Sequence, residues 1–200
     1  MGKYNGPKDR LSRREGVDLF GKGAKLTRLN ILPGVHGPKG VIKKQSQYGR
    51  QLREKQKVKR IYGILEKQFR LYAEKALKSK GNTGEALLSL LERRLDNVVY
   101  KLGFAESRPM ARQLVSHRHV LVNGKKLNIP SYQTQVGDVI SLTPKILDNP
   151  NVKRVVSVED YEVPSWLERK ATVGKVNSNP KRQDITEIVS EQDIVEFYSR

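Results

Sequence analysis

Residues 92–140 read ERRLDNVVYKLGFAESRPMARQLVSHRHVLVNGKKLNIPSYQTQVGDVI, and the fold turns on how this stretch is parsed. Leading into it, Leu88, Leu91, Leu95, Val98, Val99 and Leu102 recur at three- and four-residue steps, the spacing of one helix face. Thr83 caps that predicted helix, and Gly103 ends it where a left-handed residue is needed. A short second helix starts after Ser107 and runs through Leu114 towards His117. Pro109 falls in its first turn, where a missing N–H does little harm. The period then changes to two. Val120 and Val122 precede Asn123-Gly124, the strongest short hairpin signal, and Leu127 and Ile129 continue on the far side. After Gly137-Asp138, residues 139–142 read as a further strand. Helix, helix, hairpin and strand make a compact α+β unit over 92–142.

Working outward, Ser46 is a plausible N-cap for a basic helix reaching Tyr62, with Gly63 just past its end. Ile64 to Lys80 follows, with Leu65, Phe69, Tyr72, Ala73 and Ala76 on one stripe. Residues 1–45 have punctuation without periodicity, as at Gly6-Pro7, Pro33-Gly34 and Gly37-Pro38. They predict an irregular, extended basic arm ordered by its partner, and a disordered tail is the alternative. Leu11, Leu19, Phe20, Leu29 and Ile31 are its apolar anchors. Between 148 and 183 one helix and a strand near Trp166 are predicted, with Trp166 packed on the 92–142 unit. Ile194, Val195 and Tyr198 mark a helix in the tail.

The charge is lopsided. Lys plus Arg number 39 against 21 Asp plus Glu, a formal net charge of +18. Residues 1–80 hold 22 basic and 6 acidic groups, whereas residues 131–200 hold 9 and 11. Such an excess is a statement about polyanionic partners. No apolar run approaches a membrane span, no signal peptide is legible, and the basic segments lack the large apolar residues of a membrane-surface helix. Nucleic acid is the partner expected, and a membrane is not. Cysteine is absent, so disulfides and thiolate metal sites are excluded.

The expected RNA contacts follow the basic groups. On the 92–142 unit they are Arg108 and Arg112, four apart on one helix face, with His117, Arg118, Lys125 and Lys126 around the helix end and hairpin. The helix N-terminus near Ser107 adds partial positive charge. Duplex RNA is read largely through shape and backbone, which suits a rigid basic surface. The plainer alternative is a solvated charged face. Lys3, Arg10, Arg13, Arg14 and Lys22 on the arm, and Arg50, Arg53, Lys57, Lys59 and Arg60 on the basic helix, complete the set.

Other features have duller readings. His36, His117 and His119 lack the three or four ligands a metal site needs, so neither metal nor cofactor is expected. GVHGPKG over 34–40 lacks the spacing of a phosphate loop. Asp96 and Asn97 are read as hydrogen-bonding locks rather than catalytic groups. Tyr48, Tyr62 and Tyr72 favour core packing over stacking on bases.

The stretch 92–140 resembles the small RNA-binding domain first named for small-subunit ribosomal protein four, here the S-four domain. GPKDRLSRREGVDLF near the start, SQYGRQLREKQKVKRIYGILEKQF and KGNTGEALLSLLE in the middle, and VEFYSR at the end resemble that ribosomal protein family, of bacterial or organellar type. The resemblance implies an arm over 1–45 and a helical first domain over 46–90 completed by the tail 185–200. It places an inserted S-four domain with its extension over 91–184. It further implies binding to a multi-helix junction in the 5′ domain of small-subunit rRNA, and neighbours in ribosomal proteins three and five. Lys39, Lys43 and Lys44 would face incoming mRNA at its entrance, and the site of action would be the cytoplasmic or organellar small subunit. Many relatives carry a four-cysteine zinc site near the start. Here Asp9 and Ser12 stand at its first pair, so packing and RNA must hold the arm instead. Many also have Gly where this chain has Arg118. If that residue must be left-handed, a side chain costs roughly 1 kcal/mol.

Two rival functions share the S-four resemblance. An RNA-modifying enzyme or aminoacyl-tRNA synthetase would need a catalytic domain, for which residues outside 92–142 leave no room. A free regulator of an mRNA would need nothing more than this chain.

Overall fold

The computed structural model describes residues 4–38, 45–158, 161–187 and 189–199. Among them the helices are α1 (Lys8–Glu15), α2 (Gln47–Ile61), α3 (Glu66–Leu77), α4 (Thr83–Glu92), α5 (Leu95–Lys101), α6 (Arg108–Ser116), α7 (Pro144–Leu147), α8 (Pro150–Val156) and α9 (Glu191–Tyr198). The strands are β1 (Val120–Val122), β2 (Lys125–Leu127), β3 (Val139–Leu142), β4 (Leu167–Lys170) and β5 (Val173–Val176). The fold is α+β in two compact units. One runs to Gly84 and takes in the tail after Glu187; the other spans Glu85–Glu187. No helix among the described residues is long and apolar enough to cross a membrane.

In the first unit Val58, Ile61, Phe69, Tyr72, Ala73, Ala76 and Ile194 are buried, and α9 packs against α2 and α3. Ser46 accepts a hydrogen bond from the Gly49 N–H, capping α2 as its sequence predicts. One carboxylate ties the three helices together. Glu66, in the first turn of α3, accepts from Lys55 at 2.8 Å and Lys59 at 2.9 Å on α2, and from the Tyr198 hydroxyl at 2.8 Å on α9. Burial alone would raise its pKa, but these three donors outweigh it and hold the carboxyl at about 2. Burial and the bond to Glu66 both push the Tyr198 phenol upward. Lys55 also lays its ammonium 4.5 Å from the centroid of the Phe197 ring.

The arm differs from its expected irregularity. It contains α1, six of whose eight residues are charged, and Gly16 ends that helix at φ 68°. Ser12 is buried, and its hydroxyl accepts the Leu19 N–H at 3.3 Å. Lys22 meets Asp9 at 2.5 Å, and Arg13 donates to the carbonyls of Ile31 and Leu32 at 2.9 and 3.1 Å. Composition cannot show such a helix, because its few apolar contacts are hidden among charges.

In the second unit a five-stranded antiparallel sheet in the order β2-β1-β3-β5-β4 is covered on one face by α5 and α6. Asn123 and Gly124 both have positive φ, at 51° and 78°, as a two-residue hairpin turn demands. Trp166 is fully buried in this core, with Val98, Leu102, Ile140 and Val176 among its members. Gly174 has no room for a side chain: a Cβ there would sit 2.4 Å from the Leu102 side chain.

Two expectations need correction here. The apolar stripe from 83 to 102 is not one helix but two, α4 and α5, with Arg94 extended between them (φ −66°, ψ 136°). Tertiary hydrogen bonds override the local propensity. Thr134 donates its N–H to the Arg93 carbonyl, and Leu95 and Asp96 donate theirs to the carbonyls of Tyr132 and Pro130. Between 148 and 183 the chain forms α8, β4 and β5 rather than one helix and one strand. Arg169, which no sequence pattern singles out, staples that region by donating to the carbonyls of Leu102, Gly103 and Val156.

The Glu66 contacts yield a pH signature. Its folded pKa lies below the ordinary 4.5, so its stabilisation is complete above that value and is lost as pH falls towards about 2. The stability advantage of the natural chain over Glu66→Gln should therefore be constant at neutral pH and shrink through that acid window. Denaturant titrations across pH check this, and a gap that does not narrow on acidification contradicts it.

Candidate nucleic-acid interface

The end of α6 is shaped by its backbone. His119 donates its N–H to the Leu114 carbonyl and Arg118 to that of Val115, both at 3.0 Å. This pair of bonds is a Schellman closure, which requires a left-handed residue just past the cap. Arg118 occupies that position at φ 63°. Glycine takes such a conformation freely, whereas an L side chain there costs roughly 1 kcal/mol. Arg118 is exposed, and the rings of its sequence neighbours His117 and His119 lie 6.3 Å apart. The carbonyl end of the helix favours positive charge at that spot.

Beside this turn the hairpin places Lys125 and Lys126 in the open, with Lys126 opposite Leu121. Lys145 on α7 is exposed as well. Sequence spacing could not bring Lys145 here; the Thr143 N–H, which donates to the His119 carbonyl, ties the two segments together. Partial burial, together with the charges of His117, Lys145 and Lys126, pushes the His119 pKa below its ordinary 6.5. His119 is thus mostly neutral at physiological pH amid cations.

Arg108 and Arg112 lie differently. They share a face of α6, as expected, but that face looks onto polar groups of α5. Arg108 donates from Nε to Asn97 Oδ1 at 2.8 Å and from Nη2 to Glu187. Arg112 lies 3.8 Å from Asp96, which binds Arg94 through two hydrogen bonds of 3.0 and 2.7 Å. Asn97 in turn donates to Glu92 at 2.7 Å. Asp96 and Asn97 are the hydrogen-bonding locks that the sequence predicts. The Ser107 side chain makes no hydrogen bond capping α6.

The basic helix α2 is largely answered from within the first unit. Arg50 pairs with Asp193 at 2.9 Å, Lys57 with Glu54 at 3.2 Å and Lys59 with Glu66 at 2.9 Å. Arg53 and Arg60 both meet Glu15, a carboxylate 1% exposed. Burial raises the Glu15 pKa and the two guanidinium groups oppose that rise. On the arm, Arg13 and Lys22 are engaged as described above, whereas Arg10 and Arg14 are exposed. Lys3, Lys39, Lys43 and Lys44 lie outside the described residues. Of the tyrosines, Tyr62 and Tyr72 are core residues, while Tyr48 is 52% exposed and stacks on Phe197 at 5.7 Å.

The arrangement separates two kinds of cation. Those on α2 and on the inner face of α6 are positioned by carboxylates and carbonyls. His117, Arg118, Lys125, Lys126 and Lys145 point to solvent around one rigid corner of the sheet. Such a corner can neutralise several phosphates without first breaking an ion pair among the described residues.

Comparison with known proteins agrees with this geometry. Residues 3–92 match the ribosomal protein S4/S9 N-terminal domain, and residues 93–140 match the S4 domain. Small ribosomal subunit protein uS4 of Caldicellulosiruptor saccharolyticus is 53% identical over 213 residues, covering 100% of both chains. The proteins of that name from Dictyoglomus thermophilum and Chromobacterium violaceum are 52% and 48% identical, again over 100% of both chains. With two consecutive domains matched and half the residues shared from end to end, the chain belongs to the family of small ribosomal subunit protein uS4.

Proposed function

We propose that the protein is a structural constituent of the small ribosomal subunit and a primary binder of its rRNA. In this reading it sits on a multi-helix junction of the 5′ domain and nucleates assembly there. Lys39, Lys43 and Lys44 face the mRNA entrance, and ribosomal proteins three and five are neighbours, the latter contact bearing on decoding accuracy. Family membership supports the ribosomal role and sets the enzyme reading aside. The observation that carries the RNA reading is the corner where α6 ends and the hairpin begins. There, among the described residues, His117, Arg118, Lys125, Lys126 and Lys145 form no ion pair with a carboxylate, and all of them are exposed. Spending backbone strain to hold an arginine at that point, where the chain geometry favours glycine, points to a contact made by its side chain.

Sedimentation of a cell extract at moderate salt separates this from a free regulator. The protein should travel with small subunits rather than stay near the top of the gradient. Counterion release gives a second measure. If about ten phosphates are neutralised, the log–log dependence of rRNA affinity on salt should have a slope of roughly −7 to −9. A nearly flat dependence contradicts the electrostatic reading. Arg118→Gly should split two properties that usually fall together. Relief of strain should raise stability by up to about 1 kcal/mol, while rRNA affinity drops and the salt slope becomes shallower by about one contact. Thermal melts and binding isotherms on the same preparation check both.

A further inference from the structure

Arg108 is held on three sides. Its guanidinium lies 4.7 Å from the centroid of the Tyr100 ring, its Nε donates to Asn97 Oδ1, and its Nη2 donates to Glu187 Oε1. Lys101 Nζ is 3.4 Å from that same oxygen. One carboxylate oxygen therefore serves two cations. The other, Oε2, is buried and has no hydrogen-bond partner among the described residues. The three side chains are only 14%, 10% and 13% exposed for Arg108, Lys101 and Glu187. Burial alone would raise the Glu187 pKa, but Arg108 and Lys101 outweigh it and keep the carboxyl ionised below its ordinary range.

This is the arrangement a phosphate would seek. A guanidinium and an ammonium converge on a single anionic oxygen, the contact that a non-bridging phosphate oxygen makes equally well. Glu187 differs from the two cations in its backbone setting. It belongs to no helix or strand, whereas Lys101 and Arg108 sit on α5 and α6. Removing it would leave the Arg108 guanidinium still supported by Tyr100 below and Asn97 at its edge.

We propose that Lys101 and Arg108 form a recessed phosphate subsite that Glu187 fills in the free protein, and that an RNA phosphodiester replaces this carboxylate on binding. The proposal rests on the rRNA-binding reading above and deepens it. It gives the two cations different work from the solvent-facing corner. Lys125 and Lys126 can meet any phosphate, whereas the subsite accepts only an RNA whose folded shape carries a phosphate inward. Until then Glu187 repels it, a like-charge opposition that favours the fitting partner over the rest.

The test uses the full chain and a fragment of the 5′ domain of small-subunit rRNA, with affinity measured across a salt series. Glu187→Gln should bind several-fold more tightly at every salt concentration, because no carboxylate has to be displaced before the phosphate enters. The slope should stay near that of the natural chain, because the same phosphate is neutralised in both. Glu187→Asp keeps the net charge but withdraws the carboxylate by one methylene, so it should tighten binding by a smaller factor. Both gains should disappear when Arg108→Gln is also present. Glu168→Gln, at an exposed carboxylate of the same unit, measures the general effect of removing a negative charge. Unchanged or weaker binding by the Glu187 variants overturns the subsite, as does a gain that survives Arg108→Gln. If Glu187→Gln does not fold, Glu187→Asp decides alone. A natural chain that ignores the fragment overturns the rRNA reading and the subsite together, whereas bound RNA indifferent to Glu187 overturns the subsite only.

Discussion

The two hydrogen bonds between Arg94 and Asp96 set the geometry on which the second unit depends. Both side chains are almost fully buried, so neither charge has water as an alternative partner. Leaving one of them unpaired in such a place costs about 3–5 kcal/mol. The pair sits where α4 gives way to α5, and because side chains two apart do not face each other on a helix, it reinforces the break that residues 130–134 hold in place. The extended Arg94 then exposes backbone groups that residues 130–134 satisfy. That pinning brings the segment before β3 against the helices and sets where α5 lies on the sheet. Asn97 and Glu92 extend the network to Arg108, so the same constraint reaches α6.

Glu66 plays the corresponding part in the first unit. It lies in the first turn of α3, where the helix dipole favours a carboxylate, and it collects donors from α2 and α9. The tail is thereby made part of this unit rather than an appendage. Glu15 acts likewise on the other side of α2, through Arg53 and Arg60. A helix that would repel itself in isolation becomes a scaffold because carboxylates distant in sequence come to it.

Periodic signals proved legible, and long-range ones did not. Ser46, Gly63, Pro109, Gly103 and Asn123-Gly124 act locally, through caps and turns, so their meaning survives without the rest of the fold. The break at Arg94 was hidden because the stripe of Leu91, Leu95 and Val98 is compatible with an unbroken helix. Only the partner at residues 130–134 distinguishes the two. Helix α1 was masked by charge, and β4 and β5 by their length of four residues. At the interface, residue type identified cations but not their partners. Arg118 and Lys125 remain open, whereas Arg53 and Lys57 turn inward, and nothing in spacing alone separates them. Lys101 and Lys145 were missed for the same reason, since each gains its setting from segments remote in the chain.

The internal pairing on α2 has a consequence for the protein before it folds. A newly made chain has not yet brought Asp193, Glu15 and Glu66 to their cations, so it presents nearly its whole basic content to any polyanion nearby. Folding withdraws part of that adhesiveness and leaves the remainder in a defined place. Acquiring structure and acquiring discrimination are then the same event. An unfolded chain offers all its cations at once, whereas the folded one has already matched part of that surplus with its own carboxylates.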